Sequence, residues 1–290
     1  MRVCGNTVVR LAVLPYKRGM TTPKADAATT TAKKKTSTTR RVILAQKKGG
    51  SGKTTTTINA ADGLAKKGFK VLVGDLDHQA NATKNAGFDW AQLRPTMKEI
   101  LLNPEIPTEQ AIVRGPHVGF DLLPSHGQLN QAEAYLMAGQ ERGRLADKLR
   151  EVEDRYDFVL LDTPGSETFL TSMAYAYADE VIIPVEPNAF GYDGMVGILD
   201  SIRKVRENGL NPKLLVRAIL ITLYDSRLSV QNDYVKRIQA RFGSLVLPAM
   251  VKRSVRLQEQ VNEKKSIFDY EPNGQGAQAY WALVEHLERG

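Results

Sequence analysis

The sequence predicts an α/β protein: a doubly wound, mostly parallel sheet in three layers, α/β/α. Short Val/Ile/Leu runs alternate with longer segments of helical period along most of the chain, and strands alternating with helices close into a sheet with right-handed crossovers. Three of the apolar runs end in glycines or aspartates, which suits the ligand-binding edge of such a sheet, at the carboxyl ends of its strands. An apolar content of 42% supplies a large core, and the length allows one domain of about 250 residues beyond a tail.

The elements follow in order. Val42-Ile43-Leu44-Ala45 marks a strand at 42–46, and a helix is expected at 54–67 after a glycine-rich turn. Val71-Leu72-Val73-Gly74-Asp75 gives a strand at 70–75, Leu122-Leu123 one at 120–124, and Phe158-Val159-Leu160-Leu161-Asp162 one at 157–162. Val181-Ile182-Ile183-Pro184-Val185 gives 181–185, and a last run gives 216–223. Between and after them, helical patterns cover 96–102, 128–138, 142–152, 192–208, 229–242, 254–264 and 275–288. No repeat of solenoid period is present.

The turn after the first strand reads Lys47-Lys48-Gly49-Gly50-Ser51-Gly52-Lys53-Thr54. Its glycines let successive N–H groups converge on an anion without Cβ clashes, and the helix start adds partial positive charge. Lys53 would reach the outer phosphates of a nucleotide and the Thr54 hydroxyl would ligate Mg²⁺. The binding stretch is Lys48, Gly49, Gly50, Ser51, Gly52, Lys53, Thr54 and Thr55. Lys47 stands where the usual pattern has its first glycine, and Lys48 lies inside the turn. Two further runs end in carboxylates. Asp75 and Asp77 are spaced i, i+2, so alternation puts both on one side of a strand end. Asp162 closes another buried-type strand before Thr163-Pro164-Gly165.

Lys48-Gly49-Gly50-Ser51-Gly52-Lys53-Thr54 resembles the deviant Walker A loop of the ParA/MinD family of ATPases, P-loop NTPases that bind ATP and Mg²⁺. The resemblance implies that Lys48 crosses a dimer interface to the partner's nucleotide and joins Lys53 and Asp77 in catalysis. Asp75-Leu76-Asp77-His78-Gln79-Ala80-Asn81-Ala82-Thr83 is similar to a family segment in which Asp77 orients the attacking water and Asp75 supports the metal site from behind; His78 replaces the family's common proline. Asp162 looks like the Walker B carboxylate, holding Mg²⁺ through water with Thr54, and residues 163–166 like a loop sensing the γ-phosphate. Val251-Lys252-Arg253-Ser254-Val255-Arg256-Leu257 resembles the family's I-P-R-N-V-R-L. Similarity runs over roughly residues 41–288, nearest the DNA-partitioning ParA/Soj branch, so 41–290 is read as the ATPase domain.

Residues 1–40 form a basic segment without apolar periodicity, expected to be disordered. Residues 1–41 hold ten Lys/Arg against one Asp, so the net charge of +8 belongs to the tail and not to the core. A flexible arm on DNA, a plain solvated tail, a transit-peptide-like segment and a true start at Met20 instead of Met1 all stay open. The run from Val8 to Leu14 is too short to span a membrane. The single cysteine, Cys4, excludes iron–sulfur and arsenite-handling branches that need core thiols, and His78, His117, His126 and His286 lack metal spacing and read as turn or surface residues.

Residues 227–265 carry nine basic side chains against three acids. A basic stripe of this kind binds the DNA backbone without reading sequence. The resemblance singles out Arg227 and Arg256 for that role, with Lys252 a further candidate, and Arg253 beside either DNA or the adenine. Three functions are weighed. The first is a partition ATPase that forms a homodimer with ATP, binds double-stranded DNA non-specifically, answers to a ParB-like partner and works on the nucleoid in the cytoplasm of a bacterial or archaeal cell. The second is a MinD-like ATPase on a membrane surface, which the acid-bearing last helix disfavours, so no stable membrane association is expected; ParA-like positioning of a protein cargo is a variant of the first. The third is an enzyme transferring phosphate to a small molecule.

Overall fold

The computed structural model describes residues 38–115 and 117–289. The readings of residues 1–37, with Cys4 and the choice between Met1 and Met20, lie outside the described residues. The elements are β1 (Arg40–Leu44), α1 (Lys53–Lys66), β2 (Val71–Asp75), α2 (Asn81–Asn85), α3 (Met97–Leu102), β3 (Val113–Arg114), β4 (Asp121–Leu123), α4 (Leu129–Ala138), α5 (Arg144–Arg150), β5 (Phe158–Asp162), α6 (Phe169–Tyr177), β6 (Glu180–Val185), α7 (Ala189–Glu207), β7 (Leu215–Ile221), α8 (Ser229–Phe242), α9 (Arg256–Asn262), α10 (Ile267–Tyr270) and α11 (Gln275–Glu288).

The strands form one seven-stranded sheet in the order β3-β4-β2-β5-β1-β6-β7. The two-residue β3 runs antiparallel to β4 and every other pairing is parallel. The strands are apolar on both faces because helices cover both. Alternation divides their side chains cleanly. Ile43, Leu72, Val159, Leu161, Ile183 and Ile219 face one core with α3 to α8, while Val42, Leu44, Val73, Leu160, Ile182 and Leu220 face the other with α1, α10 and α11.

Three helices are not anticipated from the sequence. The buried α6, with Leu170, Met173, Ala174, Tyr175 and Tyr177 all covered, has no polar face to give it a period; Thr168 caps it by accepting from the Thr171 N–H. The other two, α2 and α10, have five and four residues, too short to show a period. The first strand starts before the expected boundary: Arg40 opens β1, and its guanidinium reaches Glu180 and the Leu287 carbonyl. Two histidines are less exposed than expected. His126 is buried with its ring edge-on to Trp90, and His286 is half-buried with Nε2 against the Arg217 carbonyl.

Candidate nucleotide-binding site

The switch in strand order sets the site. β1 lies between β5 and β6, and β5 also pairs with β2. The register aligns Leu44 with Asp162 and Asp162 with Asp75. The carboxyl ends of the three strands, and the turn that follows β1, therefore share one edge, where open α/β sheets bind ligands.

The turn from Lys47 to Gly52 is shaped by two left-handed residues, Gly50 at φ 70° and Gly52 at φ 85°. A side chain would be strained at either position, and alternating backbone hands of this kind turn N–H groups toward one point. Thr222 fixes the turn from below by donating to the Ser51 carbonyl at 2.8 Å. Gly165 packs on its outer side: a Cβ there would sit 3.1 Å from the Gly49 Cα. Gly49 and Gly50 have open space in the direction a Cβ would take.

Lys53, the first residue of α1, is 7% exposed, with Nζ 3.4 Å from the Gln46 carbonyl and 3.3 Å from that of Lys48. Burial holds its pKa below the ordinary lysine value, against the pull of Asp162 and Asp77. A buried cation whose hydrogen-bond acceptors among the described residues are carbonyls is suited to an anion.

Asp162 is wholly buried. Its Oδ2 accepts from the Thr54 hydroxyl at 2.7 Å and its Oδ1 from the Thr57 hydroxyl at 3.1 Å. Burial pushes its carboxyl up to about 6, with Thr54 and Lys53 opposing. Asp75 is also wholly buried and is pushed up to about 7 by burial and by Asp162. Thr54 with Asp162 makes an oxygen pair suited to a small hard cation that completes its coordination with waters and phosphate oxygens. Among the described residues no group of three or more His, Cys, Asp or Glu could hold a metal alone.

Asp75 does not face the cleft. Its Oδ2 accepts from the Thr83 N–H at 2.8 Å and hydroxyl at 2.7 Å, and its Oδ1 from the Asp77 N–H at 3.1 Å. These bonds tie it to residues 77 and 83, behind the cleft and in register with Asp162. Asp77 does line the cleft, together with Gly49, Gly50, Ser51, Gly52, Lys53, Thr54, Thr55, Gln79, Asn81, Pro164 and Ser166, around about 600 Å³. Ser125 donates to the Asp77 carbonyl at 2.7 Å and steadies it from the far side.

The two lysines before the glycines go in different directions. Lys47 pairs with Glu167 at 2.6 Å, and Lys48 with Glu186 at 2.5 Å. Glu186 also binds Arg253 at 3.1 Å. None of the partners Glu167, Glu186, Ser125 and Thr222 is picked out by sequence reasoning; each is an ordinary polar residue whose meaning comes from a neighbour distant in the chain.

Arg227, Lys252 and Arg253 share a neighbouring pocket of about 530 Å³ with Tyr224, Ser254 and Gln258. Arg256 opens α9 one residue beyond. Counting charge by sequence window overstates this patch. Asp225 and Glu271, just outside the window, contact Arg227 at 2.6 Å and Arg256 at 3.7 Å, and Glu259 holds Arg256 at 3.0 Å. On α8, Arg237 and Arg241 turn instead to α7, Arg237 over the Tyr192 ring and Arg241 onto its hydroxyl. No helix among the described residues is long and apolar enough to cross a membrane.

Comparison with known proteins points to a family. Residues 39–216 match a family model described as an AAA domain. The chain is 34% identical to the chromosome partitioning protein ParA of Caulobacter vibrioides over 233 residues, covering 79% of this chain and 86% of that one. It is 39% identical to the chromosome-partitioning ATPase Soj of Thermus thermophilus over 230 residues, covering 79% and 88%. Among solved structures, cobyrinic acid a,c-diamide synthase of Mycobacterium smegmatis, with an ATP analogue and magnesium bound, superposes with a TM-score of 0.75 at 30% identity, covering 87% of this chain and 95% of that one. With a Walker-type turn, a buried cation, paired carboxylates and these relatives, the chain belongs to the ParA/MinD family of ATPases, beside its ParA/Soj-type partitioning proteins.

Proposed function

We propose that this chain is an ATP-dependent dimerising switch that binds double-stranded DNA without reading sequence and helps to segregate DNA with a ParB-like partner. Lys48 carries the reading. Lys53 already places one cation within its own phosphate turn, whereas Lys48 sits at the rim, 28% exposed, paired to Glu186 rather than to its own loop. A second cation at the rim suits a phosphate that belongs to another subunit.

ATP with Mg²⁺ supplies the bond that is cleaved and the negative charge that the lysines meet. Gly49 to Thr54 cradle the phosphates, Thr54 and Asp162 hold the cation, and Asp77 orients a water. Asp75 and Ser125 keep Asp77 in position. Arg253 lines the pocket next to the cleft, and a contact of its guanidinium with the base is part of this reading. Nucleotide then provides the differential contacts that a two-state switch requires. Arg227, Lys252 and Arg256 form the phosphate-binding patch for DNA, and the nucleoid of a bacterial or archaeal cell is the expected place of work.

The apolar side of α11, with Leu283, Val284 and Leu287, packs into the core, which favours DNA over a MinD-like membrane surface. The name of the mycobacterial structure supports a second reading, an enzyme acting on a small molecule. A gel shift with random duplex DNA, with and without ATP and Mg²⁺, separates them. ATP-dependent, salt-sensitive, sequence-independent retention supports the switch. No shift at low salt, with turnover that needs an added small molecule, contradicts it.

A further inference from the structure

We propose that Glu186 is the residue that holds Lys48 in its own subunit, so that this one carboxylate sets the threshold at which two subunits join. The inference rests on the dimer reading above.

Both oxygens of Glu186 are engaged, Oε2 by Lys48 and Oε1 by Arg253, and its side chain is 12% exposed. The backbone behind it is pinned. The Glu186 carbonyl accepts from the Asn188 N–H at 2.8 Å, and α7 passes so close that a Cβ on Gly191 would lie 2.0 Å from that oxygen. The Asn188 side chain in turn caps α7 through the Gly191 N–H at 2.8 Å. The pinned backbone and the contact with Arg253 restrain the carboxylate when the lysine departs. Lys48 is the partner built to move, with a four-carbon stem and open space beside Gly49 and Gly50.

Arg253 makes the exchange feasible. Removing the only partner of a buried charge is strongly destabilising. Here Lys48 can leave and Glu186 keeps a guanidinium. Lys47 has no such arrangement: Glu167 is 40% exposed, and α7 walls in its stem, since a Cβ on Gly197 would lie 3.0 Å from the Lys47 Cδ. The two adjacent lysines thus divide into an anchored one and a releasable one.

Sedimentation velocity of the full chain, with a non-hydrolysable ATP analogue and Mg²⁺, tests this across wild type, Glu186→Gln, Lys48→Ala and the double variant. Glu186→Gln keeps the shape and removes the charge. The dimer should form about tenfold more tightly, equivalent to about 1.4 kcal/mol. The Lys48→Ala chain is expected to stay monomeric, and the same change there should restore no dimer, because nothing is left to release. Weaker or unchanged dimerisation in Glu186→Gln overturns the proposal, as does a dimer restored without Lys48. If Glu186→Gln does not fold, Glu186→Asp serves, its shorter carboxylate giving a shift of about threefold in the same direction; no shift or the reverse overturns the proposal. A wild-type chain that stays monomeric sinks the dimer reading and this inference together, whereas a wild-type dimer with an indifferent Glu186 sinks the inference alone.

Discussion

Asp75 and Asp162 are in-register partners on adjacent parallel strands, both with no exposure to solvent. Two buried carboxylates at one sheet edge repel each other and resist ionisation. Burial raises both carboxyls, with Asp162 adding to the rise at Asp75 and Asp77 to that at Asp162.

A pH dependence of stability follows. The ordinary value for these groups is 3.8, while in the fold Asp75 is raised to about 7 and Asp162 to about 6. Between about pH 4 and pH 7 the folded protein holds protons that the unfolded chain has released, so this contribution is present at low pH and is lost as pH rises through the folded values. His126 and His286, both held below the ordinary histidine value by burial, act in the opposite sense. Urea unfolding in EDTA at pH 5 and pH 7.5, for wild type and Asp75→Asn, isolates the carboxylates. The variant should have a lower baseline, since its amide N–H faces a backbone donor, and a flatter loss of stability with rising pH. Equal pH slopes for the two would contradict the pairing.

Lys53→Ala should abolish useful nucleotide binding. The charge-assisted hydrogen bonds lost are each worth about 1.5–3 kcal/mol, so affinity by calorimetry should fall at least about 100-fold. Withholding Mg²⁺ from the wild type should also weaken binding, because Thr54 and Asp162 then meet only each other. Nucleotide affinity indifferent to both changes would exclude the turn as the phosphate site.

Asp77→Ala removes the one carboxylate that lines the cleft among the described residues and leaves Lys48 and Lys53 in place. The expected result is an ATP-bound dimer that persists on DNA, with phosphate release down by about 100-fold or more, the scale of losing a positioned acid–base group. Ordinary turnover in this variant would transfer the water-orienting role elsewhere.

Arg256→Glu should weaken binding to random duplex DNA and lower the salt slope by about one unit while leaving dimerisation unchanged. Arg227→Glu should act in the same direction; each change also sets an acid against acids, Asp225 in one case and Glu259 and Glu271 in the other. Equal retention of Arg256→Glu on DNA at low salt would move the DNA surface away from α9.

The sheet was legible because its strands are apolar on both faces and bounded by turn residues, as at Val42-Ile43-Leu44 and Val181-Ile182-Ile183. The phosphate turn was legible because its chemistry is local: the residues that shape it lie within one short stretch. What escaped reading was whatever depends on distant neighbours. The helix α6 carries no charged residue, and its half-buried face of Phe169, Ser172 and Ala176 is too weakly polar to show a period. The partners of Asp75, Thr83 and the Asp77 N–H, are not legible from the i, i+2 spacing of the two aspartates. Glu186 looks like a strand-end acid until the fold puts Lys48 and Arg253 on its two oxygens. The charge count near Arg227 misled because its compensating acid lay two residues outside the window.

The most direct test is the mass of the chain in solution, by multi-angle light scattering, with a non-hydrolysable triphosphate and Mg²⁺ at saturation. The account predicts twice the monomer mass for wild type and the monomer mass for Lys48→Ala despite bound nucleotide. A wild-type chain that binds the triphosphate and remains a monomer would contradict it.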